Sequence, residues 1–208
     1  MRFVTADCRG ADRSAVLERA ACTIGRMRLP GFFIDSQEGE WGMGLIKNIF
    51  GSGKKEEGIR VCAPTGGRLV PLSEVSDPTF AEGILGKGAA VVPGGNRFFS
   101  PADGTVTTVF PTGHAAAITT DDGAEVLIHI GVDTVKLDGK YFTSHVKDGQ
   151  KVSRGELLLE ADLEQIKAAG YDTVTSIVIC NTDDFAEVEM AEAGDVAAGD
   201  TVLTLRKS

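Results

Sequence analysis

The chain has 208 residues, a formal net charge of −9, 42% hydrophobic and 25% charged residues. That is room for one full domain with extra segments, at a polarity ordinary for a soluble globular protein. No apolar stretch approaches the roughly 18 residues of a membrane-spanning helix, and the acidic balance argues against a general nucleic-acid binder, which needs broad positive charge to neutralise phosphates.

The first segment, residues 1–42, differs from the rest. Its basic residues are six arginines and no lysine, whereas ten lysines and five arginines follow from Met43 onward. It holds Trp41, Cys8 and Cys22, shows no sustained strand alternation and lacks the apolar core of a secretory signal. The expectation is an unstructured upstream extension, a mis-called start, with the working chain beginning at Met43. Residues 43–58 then read as a short amphipathic tail and linker. Leu45, Ile46, Ile49 and Phe50 share one face at helical spacing, and Gly51-Ser52-Gly53 with Lys54-Lys55-Glu56-Glu57 follow. At most, residues 43–50 would make weak contact with a membrane surface.

The domain proper is expected over 59–208. Most of the 26 glycines fall as turns between short apolar runs. This predicts an all-β fold, an antiparallel β-sandwich or barrel of many short strands with one or two very short helices. Two segments echo each other, APTGGRLVPL at 63–72 and SPADGTVTTV at 100–109. A second pair, 145–162 and 192–205, carries glycine turns ahead of apolar strands. Quasi-repeated hairpins follow. Short helices are expected at 163–169, stopped by Gly170, and at 77–81. Cys62 and Cys180 lie in strand-like runs as buried thiols, and no CxxC spacing suggests a zinc or redox pair.

The run Val126-Leu127-Ile128-His129-Ile130 reads as a buried strand with an imidazole inside it. Buried imidazole nitrogens need partners. His114 lies fifteen residues earlier, and the turn Asp121-Asp122-Gly123 folds the two segments into a hairpin that brings the histidines together. A strand aims a histidine rigidly. If a partner holds one ring N–H, the other nitrogen presents its lone pair as a nucleophile for a phosphoryl group. Thr112 offers a hydroxyl to fix a tautomer. The same spacing equally suits two metal ligands. His145 reads as a surface residue, Glu125 as solvent-facing, and Asp121 and Asp122 as turn residues rather than an acid–base pair.

APTGGRLVPLSEVSDPTFAEGILGKG, FFSPADGTVTTVFPTGHA, GAEVLIHIGVDTVKLDG and HVKDGQKVSRGELLLEADL together resemble the glucose-type enzyme IIA domain of the bacterial phosphoenolpyruvate:sugar phosphotransferase system. The likeness runs from about Ile59 to Arg206. MGLIKNIFGSGKKEE resembles the start of free-standing members; residues 1–42 match nothing in the family. The resemblance implies a cytoplasmic phosphocarrier. His129 takes the phosphoryl group, His114 steadies it without carrying it, and Thr112 orients the pair. Phe80, Phe110, Ile130 and Val135 match apolar positions around the site and, with Asp133, are implied to form a partner-binding rim, although Asp133 equally suits a role in holding local structure. HPr would donate, an enzyme IIB domain would accept, and regulatory protein targets are a further role. No cofactor and no intrinsic metal are implied; His114 and His129 would share a metal only with a partner's carboxylate.

Three other readings compete. A zinc peptidase-like domain needs a third ligand and usually an HxH pair, and Ile130-Gly131 follows His129. A biotin or lipoyl carrier needs a lysine at a hairpin tip with methionine neighbours, which no lysine here has. A regulatory relative that is never phosphorylated would have no need of both histidines and Thr112.

Overall fold

A computed structural model describes residues 58–207. The upstream extension expected at 1–42, and the tail at 43–58 apart from Gly58, lie outside the described residues.

Fourteen strands occupy this region. In chain order they are β1 (Ile59–Cys62), β2 (Gly67–Pro71), β3 (Lys87–Pro93), β4 (Arg97–Phe99), β5 (Gly104–Val109), β6 (Ala115–Thr120), β7 (Glu125–Ile130), β8 (Phe142–Ser144), β9 (Lys151–Val152), β10 (Leu157–Ala161), β11 (Thr175–Ile179), β12 (Phe185–Met190), β13 (Gly194–Val196) and β14 (Thr201–Lys207). Two short helices, α1 (Pro78–Ala81) and α2 (Leu163–Ala168), sit where the sequence places them. Asp77 caps α1 by accepting the Thr79 N–H, with Pro78 in the first turn, and Asp162 caps α2 through the Gln165 N–H. The all-β expectation holds.

An eight-stranded sheet runs in the order β13-β2-β3-β11-β7-β6-β5-β9, and two three-stranded sheets, β1-β14-β12 and β4-β10-β8, complete the domain. All the pairings are antiparallel. Read from either end, the order follows one plan. Gly67 pairs with Val196 as Gly104 pairs with Val152. The Ala63 N–H donates to Asp200 O as the Ser100 N–H donates to Glu156 O. Ala197 N–H is held by the Asp200 carboxylate as Ser153 N–H is held by Glu156. The echoes in the sequence are therefore two half-domains related by an approximate twofold. The second half (β4 to β10) is inserted into the first, between β3 and β11.

β7 and β11 lie at the middle of the large sheet, with both faces covered, so they read as continuous apolar runs rather than alternating ones. One face carries Ile128, Ile130, Ala116 and Ile118 into a core with β10 and α2, and Val126, Ile177 and Ile179 into a core with β14. The other face carries Leu127, Val178, Ala115 and Ala117 against Phe80, Leu72, Val75 and Phe110. Each fully buried aliphatic side chain contributes about 1.5–3 kcal/mol. His129 follows Leu127 by two residues, which puts it on this second face.

Candidate active site: a buried histidine pair

The β6–β7 hairpin pairs Ala115 with His129, and the Ile130 N–H donates to His114 O at 2.9 Å. Backbone register alone therefore sets the two histidines side by side. Their ring centroids lie 4.9 Å apart, with planes at 81°. Phe80, carried by α1, lies 5.0 Å from the His129 ring, and Phe110, at the end of β5, lies 5.4 Å from His114. His114 is 3% exposed and His129 6%.

Each histidine has its Nδ1 occupied. The Thr112 hydroxyl meets His114 Nδ1 at 2.5 Å, and His129 Nδ1 meets Gly131 O at 2.8 Å. The Gly131 carbonyl can only accept, so His129 carries its proton on Nδ1 and leaves the Nε2 lone pair exposed to chemistry. Burial pushes the His114 pKa down to about 3, with the neighbouring His129 adding to the shift. Burial also lowers His129, to about 4, against the opposing pull of the Gly131 hydrogen bond and the charges of Asp77 and Asp133. Both rings are neutral at pH 7.

The other anticipated residues divide. Val135 is 45% exposed beside the strand end. Asp133 pairs with Lys136 at 2.8 Å and lends its charge to His129. Ile130 corrects the expectation of an apolar rim residue. Its side chain is fully buried on the opposite face of the sheet, and only its backbone serves the site. His145 is exposed and meets Glu160 at 2.9 Å, away from the pair. Glu125 is half-buried, and burial followed by Asp184 raises its pKa, so it does not simply face solvent. Asp121 and Asp122 are exposed turn residues, as expected.

Sequence reasoning missed two contributors, the carboxylate of Asp77 and the carbonyl of Gly131. Asp77 enters the sequence reading only as the start of a helical turn. The direction of a carbonyl leaves no mark on residue type. Among the described residues, no group of three or more His, Cys, Asp or Glu is arranged to hold a metal ion, and no helix is long and apolar enough to cross a membrane.

Residues 59–185 match the family described as phosphoenolpyruvate-dependent sugar phosphotransferase system, EIIA 1. The chain is 43% identical over 160 residues to a glucose-specific EIIA component of Oceanobacillus iheyensis, covering 76% of this chain and 97% of that one. It is 45% identical over 157 residues to a β-glucoside-specific EIIBCA component of Halalkalibacterium halodurans, covering 76% of this chain but 24% of that longer protein. The solved glucose permease IIA of Mycoplasma capricolum superposes with a TM-score of 0.65 at 38% identity, over 71% of this chain and 96% of that one.

Proposed function

This chain belongs to the EIIA 1 family of the phosphoenolpyruvate-dependent sugar phosphotransferase system, and from that premise we propose that it is a covalent phosphoryl carrier working through His129. The observation that carries the reading is the hydrogen bond from His129 Nδ1 to Gly131 O. It leaves a neutral, rigidly aimed Nε2 as the nucleophile. Phospho-HPr is the donor. The bond from phosphorus to its carrier atom on HPr breaks as the bond to His129 Nε2 forms. An enzyme IIB domain then takes the group by the reverse kind of step, breaking the bond to Nε2.

His114 steadies the group. With the Thr112 hydroxyl donating to His114 Nδ1, the His114 proton sits on Nε2 and is offered to a phosphoryl oxygen. Positioned donors in a dry setting stabilise the transferring group at no reorganisation cost. Val135 is an exposed apolar residue on which a partner closes, and docking there excludes water during transfer. Asp133 completes the partner-facing rim. Phe80 and Phe110 are buried and pack beside the two rings rather than forming the rim themselves. Residues 59–208 are the carrier domain, preceded by a tail at 43–58 and an extension at 1–42, and the setting is the cytoplasm.

The test is phosphotransfer from phosphoenolpyruvate through enzyme I and HPr, read by intact mass and by site mapping without acid. One phosphoryl group should appear on His129, vanish in His129→Ala, and fail to pass to enzyme IIB in His114→Ala. No labelling from an active HPr pool would overturn the reading and leave a regulatory, unphosphorylated role.

A further inference from the structure

The carbonyl that fixes the His129 tautomer lies in a turn that is itself held by residues beyond the histidine pair. Gly131 sits at φ 76°, and the peptides on either side of it are pinned. On the first, Ile130 O accepts the Thr134 hydroxyl at 2.5 Å, and the Gly131 N–H donates to Val174 O at 3.0 Å. On the second, Gly131 O accepts from His129, and the Val132 N–H donates to Asp172 O at 3.0 Å. Asp172 is steadied in turn, its carboxylate accepting the Val174 N–H at 2.9 Å. Thr134 is 0% exposed. Its methyl lies against Gly131, where an added Cβ would fall 2.5 Å from Thr134 Cγ2 and 2.6 Å from Asp172 O. Thr134 therefore acts on Gly131 twice, through its hydroxyl and through its methyl.

We propose that Thr134 is a positioning residue for phosphoryl transfer, holding the Ile130–Gly131–Val132 turn so that the Gly131 carbonyl keeps His129 in the Nδ1–H tautomer. The proposal deepens the carrier reading and rests on it for its catalytic consequence. The physical chain is short. Without the hydroxyl, Ile130 O is buried with no side-chain partner, and the peptide turns to find one. The Gly131 carbonyl, one peptide further on, shifts with it. His129 then loses the bond that selects its tautomer, and a fraction of molecules carries the proton on Nε2, where it blocks the nucleophile.

The experiment reads the tautomer directly, with no phosphoryl donor present. The protein is labelled with ¹⁵N at histidine, and the two ring nitrogens of His129 are assigned in the wild type, Thr134→Val and Thr134→Ser. His114 is an internal control, because its Nδ1 is set by Thr112. The wild type should show His129 protonated at Nδ1 alone. Thr134→Val, which keeps the volume and removes the hydroxyl, should show both tautomers, with His114 unchanged and phosphoryl acceptance slowed about tenfold to a hundredfold. Thr134→Ser should recover the wild-type tautomer. If Thr134→Val does not fold, Thr134→Ala, which removes the hydroxyl and the methyl that act on the turn together, is read in the same way. A folded Val or Ala variant with His129 still wholly Nδ1–H overturns the proposal, as does a serine variant no better than valine. A wild type with the stated tautomer that accepts no phosphoryl group defeats the carrier reading and leaves the positioning role of Thr134 intact.

Discussion

The two half-domains use one backbone plan, and only one of them carries the histidines. His129 on β7 pairs with Ala115, the residue after His114. At the matching place in the other half, Val178 on β11 pairs with Gly88, the residue after Lys87. Val178 is fully buried in the core, and Lys87 is exposed. The segments that follow the two strands differ as well. After β7 come Asp133, Asp138 and Tyr141, the non-glycine residues with positive φ among those described. Each such conformation costs on the order of 1 kcal/mol. After β11 come Cys180 and Asn181, with the Asn181 side chain tying down Glu125 N and Gly123 O without such strain. The repeat thus supplies a stiff frame at both places, and backbone strain is concentrated where a nitrogen has to be aimed.

Breaking the symmetry on either side should give unequal results. His129→Ala should abolish phosphoryl acceptance, while Val178→Ala at the matching place should cost roughly 1–3 kcal/mol in urea unfolding and leave the labelling of His129 in place. His114→Ala should lower onward transfer by about a hundredfold or more, measured as the rate of label reaching enzyme IIB. Gly131→Ala should destabilise by about 2–4 kcal/mol, since its Cβ meets Thr134 and Asp172 at a φ of 76°. Gly123→Ala in the hairpin turn also has positive φ, but meets nothing within 4 Å, so about 1 kcal/mol is expected there. The two halves should also part in their response to acid. Both histidines have folded-state values, about 3 and about 4, below the ordinary 6.5. The unfolded chain then binds more protons as pH falls below 6.5, so stability declines from there toward pH 4 and below. The slope should be on the order of 1 kcal/mol per pH unit for each histidine and should flatten in the His114→Gln, His129→Gln double variant. The smallest effect is expected of Lys87→Ala, within about 0.5 kcal/mol, because the side chain is exposed.

Much of this was legible in the sequence, for identifiable reasons. The hairpin through Asp121-Asp122-Gly123 is local, so turn chemistry and two apolar runs suffice to juxtapose His114 and His129. The short helices expected at 77–81 and 163–169 are local too. The echo of 63–72 in 100–109 shows that a unit repeats, but not that one copy sits inside the other. That depends on β3 pairing with β11 across more than eighty intervening residues, which no short-range pattern encodes. Ile130 entered the rim through family resemblance, yet strand alternation alone sends the neighbour of an inward-facing residue to the opposite face. The roles of Gly131 and Thr134 were hidden because they act through peptide groups, which every residue has.

The nested arrangement also bears on how the chain assembles as it leaves the ribosome. The inner half, from β4 to β10, is contiguous in sequence, and its strands pair with one another. The histidine hairpin is thus complete and can close while β11 to β14 are still being made. The outer half cannot. β1, β2 and β3 wait for partners in β11 to β14, and until these emerge the inward-facing residues of β3, Ala89 and Val91, lack their cover. Emergence of β11 to β14 is therefore the step that seals the domain, and a nascent chain halted before β11 should hold a paired histidine hairpin on an unfinished sheet.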